Sequence, residues 1–344
     1  RNGNNVNITH FDTRGNNSLY CISVDDSVWA STNWTNIEPH TIFSNNCNSL
    51  QLYTLIPDTI FEQKLIDLGY DNVHDGQVLT SNIVNIDSLD VSHTVSFVNP
   101  PITNLTGLQD FTNLTYLDVS QNSLLYLDVS QNTLLKHLNC EGFFWNGNYS
   151  GALQNLDLSN NDSLTYLNCI GNMISNLDLS NNYALLKLYC SYNLIDTLNL
   201  SVNTALTHLN CSKNNQIRTL DLSQNSALVS FKCIGSTVFG IPLGKLQNLD
   251  IRNGNNINIT TFNTSNNDSL YCISVDDSTW SANNWTNIDS VTSYSTDCNP
   301  SPTNIINQPK RLLIYPNPAN KNIQIEIKHF RGSFEAELYD FTGK

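Results

Sequence analysis

The sequence predicts a mainly β fold, a solenoid with two short parallel strands per coil and a cap at each end. Three observations carry that expectation. Between Leu114 and Ile251 the chain repeats about every 21 residues, most visibly in LTYLNCIGNMISNLDLSNNYA, LLKLYCSYNLIDTLNLSVNTA and LTHLNCSKNNQIRTLDLSQNSA. Apolar residues fall at fixed columns inside each repeat. The segment after the last repeat is a copy of the segment that opens the chain.

The columns justify two strands per coil. Leu117, Leu138, Leu167, Leu188, Leu209 and Phe231 each precede, by two residues, Val119, Cys140, Cys169, Cys190, Cys211 and Cys233. Half a coil later Leu127, Leu156, Leu177, Leu198, Leu220 and Leu249 pair in the same way with Val129, Leu158, Leu179, Leu200, Leu222 and Ile251. Alternate residues of a strand face one side, so both sets point into a shared core and the residues between them face solvent. The stretch from Leu164 to Ile174 reads LxxLxCxxNxI. It matches the leucine-rich repeat consensus, and with its LDLSNN half and its cysteine column the array resembles the 21-residue repeats of secreted Bacteroidetes proteins. Asn172, Asn193 and Asn214 recur after the first strand, and Asn161, Asn182, Asn203 and Asn225 after the second. A buried turn leaves backbone donors and acceptors unpaired, and an amide side chain serves both, so these are expected to be structural ladders.

RNGNNVNITHFDTRGNNSLYCISVDDSVWASTNWTNI at 1–37 returns, shifted by 251, at 252–288. The second copy follows the last coil and is expected to cap it; the first is expected to cap an earlier array. IPDTIFEQKLIDLG, Ile56 to Gly69, reads as a short amphipathic helix with Phe61, Leu65 and Leu68 on one face, Asp58 or Thr59 as N-cap and Gly69 past its end. The expected division is therefore 1–50 as the cap of a preceding array, 51–108 as an N-terminal cap, 109–251 as the array, 252–298 as its C-terminal cap and 299–311 as a Pro/Asn-rich linker. The chain lacks an initiator Met and a signal peptide and starts inside a repeat element, which implies a longer precursor.

Residues 312–344 resemble the first half of the C-terminal sorting domain read by the type IX secretion system. The resemblance rests on Tyr315, Pro316, Asn317 and Pro318, an alternating strand from Ile323 to Ile327, a second from Phe334 to Tyr339, and a turn at Gly343 and Lys344. It implies export by that machinery to the surface of a Gram-negative bacterium, or secretion. In an exported protein, Cys21 with Cys47 and Cys272 with Cys298, each pair 26 apart around a cap, read as disulfides. The column cysteines read as small buried hydrophobes. Zinc is disfavoured because no histidine pair accompanies them.

The formal charge of −14, with only 16 Lys and Arg, argues against nucleic acid and against an anionic membrane, either of which requires a basic stripe. No apolar run reaches bilayer length, and no cofactor motif appears. The seven histidines are dispersed; no nucleophile motif, metal spacing or phosphate loop accompanies them. Asp25-Asp26 and Asp276-Asp277 lack the ligand density of a calcium loop and read as cap turn residues. No enzyme is expected.

What remains is a surface. The first strand is expected to line a concave face with outward rows that include Tyr116, His137, Tyr166, Lys187, Tyr189 and His208. The Leu138–Leu167 spacing is 29, an eight-residue insertion that brings Phe143, Phe144, Trp145 and Tyr149 into one loop. These rings either fold onto the array or await a partner. A weaker insertion lies near Val238 to Lys245, with Phe239 and Ile241. The function expected is recognition of a surface protein or glycan, as an adhesin or an accessory subunit of an outer-membrane complex; the alternative is a passive spacer for a domain outside this chain. Asp-Ser/Thr motifs resembling the O-glycosylation signal of exported Bacteroidetes proteins recur at Ser27, Thr59, Ser88, Ser163, Thr197, Ser269, Ser278 and Ser290, and Ser27 or Ser278, in a cap loop, is expected to be modified first.

Overall fold

The computed structural model describes residues 7–16, 19–39, 41–47, 52–94, 100–145, 148–238, 241–298, and the backbone of 312–315 and 324–327; the side chains of Trp145 and Val238 lie outside the described residues. The chain forms two compact units, Arg1–Thr296 and Asp297–Lys344.

The inward columns dictate the first unit. Leu117, Leu138, Leu167, Leu188, Leu209 and Phe231 are all fully buried, as are the partners two residues on, so each coil hangs two side chains into one continuous core. The strands that carry them stack as one parallel sheet of eight: Ser88–Asp90, Tyr116–Asp118, His137–Asn139, Tyr166–Asn168, Lys187–Tyr189, His208–Asn210, Ser230–Lys232 and Thr261–Asn263, in chain order. The register is strict: Tyr116 faces His137, His137 faces Tyr166, Tyr166 faces Lys187 and Lys187 faces His208. This leucine-rich-repeat solenoid extends its sheet one rung into each flanking segment expected to be a cap.

The second limb departs from the expected two strands per coil. Only Thr219–Asp221, Asn248–Asp250, Cys272–Ser274 and Ser293–Ser295 form a second parallel sheet. In the four earlier coils the pairs Leu127/Val129, Leu156/Leu158, Leu177/Leu179 and Leu198/Leu200 are buried as the columns require. Among the described residues, however, no ladder joins those limbs. Crevices of about 250 Å³ and 200 Å³ separate Asn155–Ser159 from Asn176–Asn181, and Asn176–Ser180 from Thr197–Val202. Burial of one limb pair needs only inward side chains, whereas a ladder needs strands at about 4.8 Å. The coils meet that spacing on the sheet side; on the other, crevices lie between neighbouring limbs.

Both asparagine columns are buried, but they act differently. After the first strand, Asn193 donates to the carbonyls of Cys169, Cys190 and Ser191 and its Oδ1 accepts from Ile174 N at 3.0 Å. Asn122, Asn172 and Asn214 repeat this in their own coils. After the second limb only the donor side is used. Asn182 Nδ2 reaches Leu158 O at 3.2 Å and Asn161 O at 2.8 Å. The Oδ1 atoms of Asn132, Asn161, Asn182, Asn203 and Asn225 have no protein partner, so dual satisfaction holds for one column only.

In the 51–108 segment the predicted helix spans Thr59–Asp67, with Asp58 as N-cap accepting from Ile60 N and Phe61 N. Gly69 takes the left-handed φ of +79° that ends it. Phe61 and Leu65 are buried, but Leu68 is exposed because it falls at the C-cap and not on the helix face. Buried Glu62 fastens the following loop by accepting from the backbone N–H groups of Asp75 and Gly76 and pairing with His74 Nδ1 at 2.7 Å. In the C-terminal segment Ser278–Asn284 is a helix, and Ser27–Asn33 is its counterpart in the first copy. Asp26 and Asp277 are their N-caps, which gives those aspartates a structural task. Neither helix is legible in the sequence, because seven residues are too few for a visible period.

Cys21 and Cys47 are disulfide-bonded with Cα atoms 5.8 Å apart, Cys272 and Cys298 are each disulfide-bonded, and the five column cysteines are free and buried. In the second unit Leu312–Tyr315 pairs antiparallel with Gln324–Ile327. The linker, Pro316 to Pro318, the strand expected at Phe334 to Tyr339, and Gly343 and Lys344 lie outside the described residues.

Candidate functional site

In-register parallel strands place outward side chains of one column about 4.8 Å apart, close to the thickness of stacked rings. Tyr116 and His137 use this directly, with centroids 4.4 Å apart and planes 18° from parallel. His137 and Tyr166 are 4.0 Å apart at 6°. Tyr189, from the adjoining row, tilts against Tyr166 at 5.7 Å. All four rings are half-buried. Lys187 is exposed in the same column, and His208 follows one rung on, its Nδ1 2.9 Å from Thr207 Oγ1. Three rungs separate His137 from His208.

The insertion that holds Phe143, Phe144, Trp145 and Tyr149 is a β-hairpin, Phe144–Trp145 against Asn148–Tyr149. The sequence carries a hairpin signal at the centre of the insertion in Asn146-Gly147, a pair favoured between short antiparallel strands. Gly142 and Gly151 form its neck: a Cβ on Gly142 would lie 2.8 Å from Gly151 Cα and 2.1 Å from Gly171 O, so only glycine allows the chain to leave and rejoin the coil there. Gly235 and Gly244 do the same for the second hairpin, Thr237–Val238 against Ile241–Pro242. Phe239 lies outside the described residues, and Ile241 is exposed.

The two alternatives for the aromatic loop divide along the hairpin. Tyr149 folds down, half-buried, with its ring on the backbone of Gly171 and against Tyr192 at 4.9 Å. Its hydroxyl donates to Glu141 Oε1 at 3.0 Å. Phe143 is half-buried beside His93, centroids 6.3 Å apart. Phe144 stays 41% exposed with one side against Tyr149 at 4.7 Å. The side chain of Trp145 lies outside the described residues. Glu141 joins this hairpin to the sheet face, since its Oε2 accepts from Asn168 Nδ2 at 3.0 Å. Sequence reasoning missed Glu141, Tyr192 and Gly171, whose proximity follows from the hairpin's fold-back and not from spacing.

Carboxylates border the rings. Asp118 accepts from Ser120 N at 2.9 Å and Asn139 Nδ2 at 2.8 Å. Burial, then Asp118 and Asp90, push the Tyr116 phenol above its usual range. Burial with Glu141 does the same to Tyr149, and burial with Tyr189 to Tyr166. Burial holds His137 below the usual imidazole range against the pull of Asp118, so it is neutral at physiological pH. Burial pushes the thiols of Cys140, Cys169 and Cys190 up, Cys169 to about 12, so these stay protonated.

Of the modification candidates, Thr59, Ser88, Thr197 and Ser290 are exposed, while Ser27, Ser163, Ser269 and Ser278 are half-buried. Ser27 and Ser278 open the two cap helices.

A scan against protein-family models gives no match, and neither does a comparison with curated proteins. Among solved structures the chain is similar to the functional domain of InlJ from Listeria monocytogenes, which includes a cysteine ladder, at 26% identity over 64% of this chain and 52% of that one, TM-score 0.49. It is also similar to a second Listeria internalin (16%, 72% of this chain and 100% of that one, TM-score 0.46). A leucine-rich-repeat protein of Leptospira interrogans follows at 17% identity, over 56% of this chain and 61% of that one, TM-score 0.33. The chain spans about half the length of the InlJ domain. No helix among the described residues is long and apolar enough to cross a membrane.

Proposed function

We propose that this is a non-catalytic, exported binding protein that presents the open face of its eight-stranded sheet, with the Phe143–Tyr149 hairpin beside it, to a protein partner carrying basic side chains. One observation carries the reading: Tyr116, His137 and Tyr166 are stacked on one another. Rings stacked face to face cover their own faces and turn their edges and polar atoms outward. Sugars bind aromatic platforms by lying on ring faces, and the central ring here has neither face free. What the surface offers instead is ring edges, phenol hydroxyls and the carboxylates Asp90, Asp118 and Glu141, a combination suited to Lys or Arg side chains. Charge of this kind speeds encounter and selects against acidic partners.

The resemblance of residues 312–344 to a sorting domain supports export by the type IX system, and the disulfides support an oxidising compartment. Adhesion, or a subunit role in an outer-membrane complex, fits that location.

The test is binding of the full chain to arrays of defined basic peptides and of defined neutral glycans. Basic peptides should bind with an affinity that falls with salt, and Asp118→Asn with Glu141→Gln should weaken that binding per folded molecule. Capture of neutral glycans without any basic peptide overturns the reading, and binding to neither class favours the spacer.

A further inference from the structure

The two copies of the duplicated segment share a fold but not an environment. Each stacks one Phe on one Trp, Phe11 on Trp34 at 4.2 Å and Phe262 on Trp285 at 4.1 Å. Each indole N–H donates to the same carbonyl, Ile8 O or Ile259 O, at 3.2 Å. Each disulfide cysteine strand pairs outward with the next: Cys21–Ser23 with Ile42–Ser44, and Cys272–Ser274 with Ser293–Ser295.

The difference lies on the inner side. In the second copy Thr261–Asn263 pairs with Ser230–Lys232 and Cys272–Ser274 pairs with Asn248–Asp250, so both strands continue ladders of the last coil. Ile259, Phe262, Leu270 and Ile273 are buried there, with Phe262 5.6 Å from Phe231 of that coil. In the first copy the equivalents Ile8, Phe11, Leu19 and Ile22 are only half-buried. Among the described residues, Cys21–Ser23 has a strand on one edge only, and Asp12 bridges only to Asn36. Four apolar side chains and two strand edges are thus prepared for a partner that the second copy already has.

We infer that residues 7–47 are a docking surface for the open end of a second leucine-rich array, joined to them upstream in the same polypeptide. The second copy specifies the occupant: a coil ending in two short parallel strands, with a Phe or Leu from each pointing into the core. The covalent arrangement is specified too. In the second copy the last strand of the array, Asn248–Asp250, leads through Ile251 into Arg252-Asn253-Gly254-Asn255-Asn256, where Asn253 Nδ2 continues the asparagine ladder by donating to Asn225 O at 3.0 Å. Arg1 to Asn5 repeats that pentapeptide letter for letter, so the sequence that leads from a coil into the cap in the second copy stands before the first as well.

Four measurements on the full chain and its extension test this. In hydrogen exchange of the 344-residue chain, amides of 8–12 and 19–23 should exchange much faster than their counterparts in 259–263 and 270–274; equal protection overturns the inference. Replacing 252–297 by 1–46 should give a chain that melts within a few degrees of the parent, because the first copy seals a coil end as the second does. Melting as low as that of Phe262→Asp, which breaks the existing seal, overturns it. Extending the polypeptide upstream should slow exchange at 8–12 and 19–23 to the rate of the second copy, while unchanged exchange overturns it. Sedimentation guards against the other occupant: the 344-residue chain should be monomeric, and a dimer lost on Phe11→Asp with Ile22→Asp assigns the face to a second copy instead.

Discussion

Gly171 is the position where backbone geometry and the aromatic hairpin meet, and Gly171→Ala should cost stability for two separable reasons. Its φ is +72°, and a Cβ there would lie 2.0 Å from Tyr149 Cδ1 and 2.4 Å from Cγ. The conformational part is modest, about 1 kcal/mol, because Gln121, Tyr192, Lys213 and Asn266 hold the same left-handed turn in other coils with φ of 55° to 64°. The steric part is larger. Tyr149 must leave, which breaks its 3.0 Å hydrogen bond to Glu141 and its contact with Tyr192. For a half-buried ring that loss is about 2 kcal/mol, giving a total of about 3 kcal/mol. Urea denaturation of four proteins, the parent, Gly171→Ala, Tyr149→Ala and the double variant, separates the parts. In the Tyr149→Ala background the glycine substitution should cost only about 1 kcal/mol. An equal cost in both backgrounds would show that Tyr149 does not rest on Gly171, and the docked hairpin would fall with it.

Other outcomes follow from the two asparagine columns and the thiols. Asn193→Ala removes three donations and one acceptance and should destabilise by about 3 kcal/mol, more than Asn182→Ala, which removes two donations and no acceptance; urea midpoints that rank them the other way reject the distinction. Alkylation without reductant should modify five thiols after unfolding and none before, and nine would refute both disulfides. Because Cys169 titrates near 12 when folded and near its ordinary value of 9.0 when unfolded, the unfolded state loses its proton first as pH rises. The native state then binds more protons, so stability holds below pH 9 and declines from about 9 toward 12; flat urea midpoints across that range contradict the burial. In native material a glycan should sit on exposed Thr59 or Thr197 before half-buried Ser27 or Ser278, and peptide mapping that finds only the latter reverses the order.

The array was legible because each coil repeats the same burial problem, and repetition turns one weak pattern into columns. The cap helix at Thr59–Asp67 was legible from its Asp and Gly punctuation. The insertion was visible from the 29-residue spacing, but its hairpin form was not legible in that spacing, and its fold-back onto Gly171 depends on contacts 22 residues away. The row Tyr116, His137, Tyr166 could be written down from spacing alone. Its stacking, which covers the faces a sugar would use, needed the register. The missing ladder between early second limbs had no signal in the columns, since the same inward leucines serve a paired and an unpaired limb equally well.

That missing ladder has a mechanical consequence. From Leu114 to about Leu200 the coils are hinged like slats on a single spine: backbone hydrogen bonds join them along the sheet, and crevices part at least three of them along the opposite side. Bending the spine about those bonds widens or narrows the crevices and breaks no strand ladder on that side. What it stretches is the asparagine ladder, Asn161 to Asn132 O, Asn182 to Asn161 O and Asn203 to Asn182 O, with the turn bonds from Met173 N to Leu153 O and from Leu194 N to Ile174 O. From Thr219 onward both sides are laced, and the same bend would tear a ladder. The compliant part of the molecule is therefore the part that bears the ring stack and the hairpin, while the laced end holds still.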